Sequence, residues 1–175
     1  MKITVFFLVT LLLCSQLAWA TSTRLPTRCV AIDNHPFTVE IATTREQQAL
    51  GLQHRKSLSA KRGMVFPFTP ASPQVFWMKD CNIPLDLLFF KDNKLVNYVD
   101  NAPPCQLEAK DCPRYPSGQP VDAVVELQAG VRQAFNMKTG SKLALLASCR
   151  QRTRRPRMPR LRMVSYHHSR KKSIY

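Results

Sequence analysis

Val75-Phe76-Trp77-Met78-Lys79-Asp80-Cys81-Asn82-Ile83-Pro84-Leu85-Asp86-Leu87-Leu88-Phe89-Phe90 is the stretch whose reading decides the fold. Two apolar runs flank a charged corner broken by Pro84. Val75 to Met78 is short and rich in β-formers, which predicts a strand. Pro84 has no amide to donate to a ladder, so the chain pauses there. Leu85 to Phe90 then resumes. Its length, its aromatics and the Asp-Asn signal that follows favour a second strand over a buried helix.

Asp86 is the anomaly, because an acid inside such a run must be paired or exposed. On the structural reading, Lys79 or a backbone amide satisfies Asp86. On the functional reading, Trp77, Lys79, Asp80 and Asp86 line a binding pocket, joined by Glu126 from a later strand. Aromatics beside a few convergent polar groups are how small-ligand sites are built.

Working outward, Arg28 to Asp33 and the alternating Phe37, Val39 and Ile41 predict a hairpin around Asn34-His35-Pro36. Thr44 with Gln47 three residues on is a capping-box pattern, predicting a short helix ended by Gly51. Gly63 opens a strand that Pro67 and Pro70 should end. Lys91-Asp92-Asn93-Lys94 predicts a hairpin turn into Leu95 to Val99. Residues 100–120 read as a long Pro-rich loop, pinned by cysteines or forming a lip around Tyr115. Val121 to Leu127 alternates so that Glu126 faces away from the core. A helical turn over Val131 to Met137 and a last strand over Leu143 to Ala147 close the domain.

Phe76-Trp77-Met78-Lys79 followed by Ile83-Pro84-Leu85-Asp86 resembles the signature of the family called domain of unknown function 192. Gly51-Leu52 with Arg55 and Leu58, then Gly63-Met64-Val65-Phe66, Glu126-Leu127 with Ala129-Gly130, and Gly140 resemble that family's other motifs in order, over residues 28–147. Asp80-Cys81 stands where the family usually has Asn-Thr, and Ser141 replaces a late acid. The resemblance implies a mainly β domain of antiparallel, jelly-roll-like sandwich form with one or two short helices. It implies no established activity and supplies no catalytic residues.

Met1-Lys2, the apolar Ile3 to Leu13 and Ala18-Trp19-Ala20 form a secretory leader over residues 1–20, cut after Ala20. The mature chain is therefore expected in the periplasm or secreted. Residues 21–149 form one domain and carry 15 basic and 11 acidic residues. Residues 150–175 carry ten basic residues and no acid, too little apolar surface to fold alone. This tail, Arg150 to Lys172, is a polyanion or anionic-surface binder, an inert solvated extension, or an altered reading frame; it indicates no specific nucleic acid.

Cys29, Cys81, Cys105, Cys112 and Cys149 remain after cleavage, and an oxidising compartment favours pairing. Cys105 and Cys112 bracket a short loop and are the first expected pair, contributing roughly 2.5 kcal/mol by chain entropy. Cys29 with Cys149 is the second, which leaves Cys81 odd, either free or paired between chains. No Cys-x-x-Cys or metal triad is present, so no metal or cofactor is indicated.

The function these features favour is non-catalytic binding of a small ligand, glycan or envelope component. The catalytic alternatives are Cys81 as a nucleophile and Asp86 with Glu126 as an acid/base pair, and no motif supports either. A third reading is a structural envelope protein held by its basic tail. The sequence leaves the oligomeric state open.

Overall fold

The computed structural model describes residues 24–149. The leader read over residues 1–20 and the basic tail over 150–175 lie outside the described residues. The elements in order are β1 (Thr27–Ile32), β2 (His35–Ile41), α1 (Arg45–Leu50), β3 (Arg62–Trp77), β4 (Leu85–Lys91), β5 (Lys94–Ala102), β6 (Arg114–Gln128), α2 (Val131–Ala134) and β7 (Leu143–Leu146). The fold is mainly β with two short helices, as expected.

All seven strands join one sheet in the order β5-β4-β6-β3-β2-β1-β7. Its ladders are antiparallel except β2–β3, which is parallel because α1 and its following turns carry the chain back across the end. The outer strands also meet. Leu95 N–H donates to the Ser141 carbonyl, Gly140 N–H to that of Leu95, and Leu143 N–H to that of Asn93, each at 2.8 Å. The sheet therefore curls until its two edges touch at one end, which shields strand edges from stray pairing.

β4 explains the curl. Its residues from Leu85 to Phe90 are all buried, although neighbouring side chains on a strand point to opposite faces. Leu85, Leu87 and Phe89 join one apolar cluster with Met64, Phe66, Met78 and Leu52. Leu88 and Phe90 join a second with Phe37, Val39, Val125, Leu127 and Met137. A run apolar at nearly every position fits a strand covered on both sides.

The same double coverage corrects the reading of Glu126. The alternation along β6 is real, but the face opposite Val125 and Leu127 is also roofed, so Glu126 is buried. The prolines are corrected too. Pro67 and Pro70 lie within β3 rather than ending it, and Pro73 lies within it as well. β2 pairs only with Arg62 to Val65, so beyond that point β3 has β6 as its one strand partner, with register shifts between Pro67 and Ser72 and between Pro73 and Val75. Proline is tolerated where one strand edge is free and at bulges. Because β6 answers this extension from Arg114, the long loop is shorter than residues 100–120, and Tyr115 sits opposite Phe76 in the ladder rather than on a lip.

Local signals held elsewhere. Thr44 and Gln47 form the reciprocal capping box of α1, and Gly51 ends it at φ +47°. Asp92 and Asn93 turn the β4–β5 hairpin at φ +49° and +60°. Cys105–Cys112 and Cys29–Cys149 are disulfides, and Cys81 is a buried free thiol.

Gly63 shows how close the strands run where β3 leaves β2. A Cβ there would lie 2.4 Å from the Glu126 carbonyl oxygen and 2.7 Å from Leu127 Cδ2. Gly63 pairs with Val39 on one side and Leu127 on the other, so neither neighbour has room to retreat. Gly63→Ala should cost about 3 kcal/mol by overpacking. Denaturant unfolding checks this, and a loss below about 1 kcal/mol would show that the ladder can spread.

Candidate functional site

The residues singled out from sequence divide between the two faces of the sheet. Asp86 faces the side covered by α2. One carboxylate oxygen accepts from Asn101 N–H at 3.0 Å and Gly130 N–H at 3.1 Å, and the other from Arg132 N–H at 2.8 Å. Gly130, at φ +85°, begins α2 without a capping side chain of its own, and Asp86 supplies the acceptor from β4. Arg132 in turn forms an ion pair with Asp100, donates to the Met137 carbonyl at 2.6 Å and stacks 4.1 Å from the Tyr98 ring. Asp86 is thus satisfied by backbone amides, one branch of the structural reading. It takes no part in a pocket with Trp77.

Lys79 and Asp80 form an ion pair with each other at the corner. Asp80, at φ +57°, donates its amide to the Cys105 carbonyl at 2.8 Å and accepts from His54 N–H at 2.9 Å. Gln106 Nε2 donates to the Cys81 carbonyl at 2.6 Å. The Cys105–Cys112 loop therefore clamps the corner, and Lys79 and Asp80 lie outside the cavity that Trp77 and Glu126 share.

Trp77 and Glu126 do converge. Together with Phe66, Phe76 and Cys81 they surround a cavity of about 30 Å³, roofed by residues 48–53 of α1 and its C-terminal turn. That volume holds a water or one hydroxyl-sized group. The floor is aromatic: Phe76 packs edge-on against Phe66 and Phe89, with centroids 5.1 and 6.0 Å away. The Arg114 guanidinium lies 4.1 Å from the Trp77 ring.

Glu126 Oε2 is buried and has no hydrogen-bond partner among the described residues. Burial pushes its carboxyl up to about 8, so at neutral pH it is mostly protonated and offers an O–H donor. Cys81 is pushed up to about 12, first by burial, then by the charges of Glu126 and Asp80. A thiol so protonated is a poor nucleophile. The catalytic pairing of Asp86 with Glu126 has no geometry either, because the two carboxyls face opposite sides of the sheet. Among the described residues no cluster of three His, Cys, Asp or Glu side chains could hold a metal.

Sequence reading missed the roof over residues 48–53 and the place of Cys81 beside Glu126. Gly51-Leu52 was the available signal, since Leu52 is buried in the first apolar cluster. Nothing local announced the Asp86–Arg132–Asp100 network.

The fold has solved relatives. A protein from Sinorhizobium meliloti described as a candidate transcription regulator is 30% identical, with a TM-score of 0.64 over 70% of this chain and 95% of that one. A protein of unknown function from Novosphingobium aromaticivorans is 31% identical, with a TM-score of 0.64 over 70% of this chain and 88% of that one. No curated protein matches the chain. The model of the family DUF192, described as "Uncharacterized ACR", matches residues 28–145, and with the ordered motifs and the shared fold this means that the chain belongs to the domain of unknown function 192 family.

Proposed function

We propose that this protein is an exported, non-catalytic binding domain that captures a small neutral ligand, such as a glycan, by one oxygen at the Trp77–Glu126 cavity. The observation that carries the reading is the buried Glu126 Oε2, unpartnered among the described residues and set beside a cavity sized for one polar group. An unpaired buried polar atom costs roughly 1–3 kcal/mol, and a ligand oxygen accepting from the protonated carboxyl would relieve that cost. The ligand is neutral because an anion would meet the carboxyl wherever it ionises. Its body would rest on the half-exposed Trp77 edge. Export is supported by the leader signature and by two disulfides in a chain of this size.

Thermal unfolding in the presence of neutral mono- and disaccharides and polyols tests this. At a hundredfold excess over Kd a true ligand adds about 2.7 kcal/mol of stability, seen as a Tm rise of several degrees. Measured against each protein's own baseline, that rise should vanish in Glu126→Leu. A panel without any ligand, or a rise undiminished in Glu126→Leu, would sink the reading.

A further inference from the structure

A second, larger concavity lies at the end of the sheet where β1, β2 and β3 run side by side. It measures about 710 Å³ and is lined by Arg24, Leu25, Thr27, Glu40, Arg55 and Arg62. That is the size of a small-molecule site. The strands place these groups by simple alternation. Phe37 and Val39 of β2 point into the second apolar cluster, so Thr38 and Glu40 point the other way. Thr27 of β1 sits opposite Glu40, and Arg62 of β3 sits opposite Thr38.

The arginines are not equivalent. Arg55 is locked by a two-pronged pair to Glu40, at 2.9 and 2.7 Å. Arg24 and Arg62 make no side-chain ion pair among the described residues. With Glu40 neutralising one guanidinium, the basin keeps a formal charge of two positives. A preset Arg55, two unpaired guanidiniums, the Thr27 hydroxyl and the apolar wall of Leu25 make a cradle for an anion with a small body attached.

We propose that this basin binds a dianionic phosphate monoester. Guanidinium forks match phosphate oxygens in pairs of hydrogen bonds. A monoester carries about −1.5 to −2 at neutral pH, which the two spare charges balance, whereas a single carboxylate would leave one unmet. The phosphate arrives either on a soluble ester or on a lipid headgroup, and the basin recognises the same group in both. This site is separate from the Glu126 cavity and does not depend on it.

Calorimetric titration of the full mature chain at low salt decides the matter, with glycerol 3-phosphate as the soluble probe. Phosphatidylcholine vesicles with and without phosphatidic acid are the lipid probe. Saturable binding is expected, about tenfold weaker in Arg24→Gln and in Arg62→Gln, and unchanged in Arg45→Gln, which removes a charge from the exposed helix instead. Arg24 and Arg62 are exposed, so these variants should fold, and their Tm values check it. Binding to both probes identifies a headgroup source as accessible, and binding to glycerol 3-phosphate alone identifies a soluble ester. Vesicle binding alone supports the basin only if it falls in the Arg24→Gln/Arg62→Gln double variant. Vesicle binding unaffected in that variant comes from the rest of the chain and, like the absence of saturable binding to either probe, overturns the proposal.

Discussion

Asp86→Ala should lower the unfolding free energy at neutral pH by about 5 kcal/mol, enough to leave a domain of ordinary stability close to unfolded. The carboxylate is fully buried and accepts from three backbone amides, those of Asn101, Gly130 and Arg132. Hydrogen bonds to a charged acceptor contribute about 1.5–3 kcal/mol each, and truncation removes the acceptor from all three part-buried bonds at once. The losses overlap, since one carboxylate serves all three donors, so the total stays below the simple sum. Asp86→Asn retains one oxygen for Asn101 and Gly130 but presents an amide to the Arg132 N–H, and should cost about 2 kcal/mol. Equilibrium denaturation gives both numbers. Amide exchange at Gly130 and Arg132 should accelerate in parallel, because α2 loses the acceptor that begins it. If Asp86→Ala loses less than about 1 kcal/mol, water or a neighbour replaces the carboxylate and the network is not what secures α2 to the sheet.

The second large effect concerns Glu126 and has the opposite sign at alkaline pH. Its carboxyl is pushed from the ordinary 4.5 up to about 8 by burial. Between those values the folded chain holds a proton that the unfolded chain has released. The contribution of Glu126 to stability is therefore full below about pH 4.5 and falls as pH rises through the window toward 8, by roughly 5 kcal/mol at 1.36 kcal/mol for each pH unit of the shift. Glu126→Gln fills the same space, carries no titrating proton and should flatten that decline. The variant and the wild type should be nearly equal at pH 5. At pH 8.5 the variant should be the more stable by several kcal/mol. Cys81, raised from 9 to about 12 in the same cavity, adds a further loss only above pH 9, so the comparison belongs below that. Parallel profiles from pH 5 to 8.5 would mean that Glu126 ionises freely, through water or a partner, and the cavity would lose its claim to a ligand.

The two experiments separate roles that the sequence could only place side by side. Asp86 and Glu126 were both acids in apolar strands, with the same apparent licence to act. One is a strut for α2, and the other leaves an oxygen without a partner among the described residues beside a cavity. Nothing in either local sequence tells them apart, because partners for Asp86 come from Asn101, Gly130 and Arg132, up to 46 residues away. The same holds for Arg55 and Arg62: their neighbours in sequence are ordinary surface, and only the fold sets Arg55 against Glu40 and, through the parallel β2–β3 pairing, Arg62 opposite Thr38.

What the sequence by itself determined about this protein was the set of features that depend on neighbours along the chain. These are the strand alternation of β2, the nearly all-apolar run of β4, the capping box of α1, the Asp92-Asn93 turn and the ordered motifs of its family. Steric limits and burial act within a few residues there, so the local pattern suffices. The tertiary structure alone decided the rest: the single curled sheet with one parallel pair, the three prolines lying inside β3, and the burial of Glu126. Each of these depends on which strand lies beside which. That choice is made by covering both faces of β4 and β6 at once, a requirement that no short stretch carries.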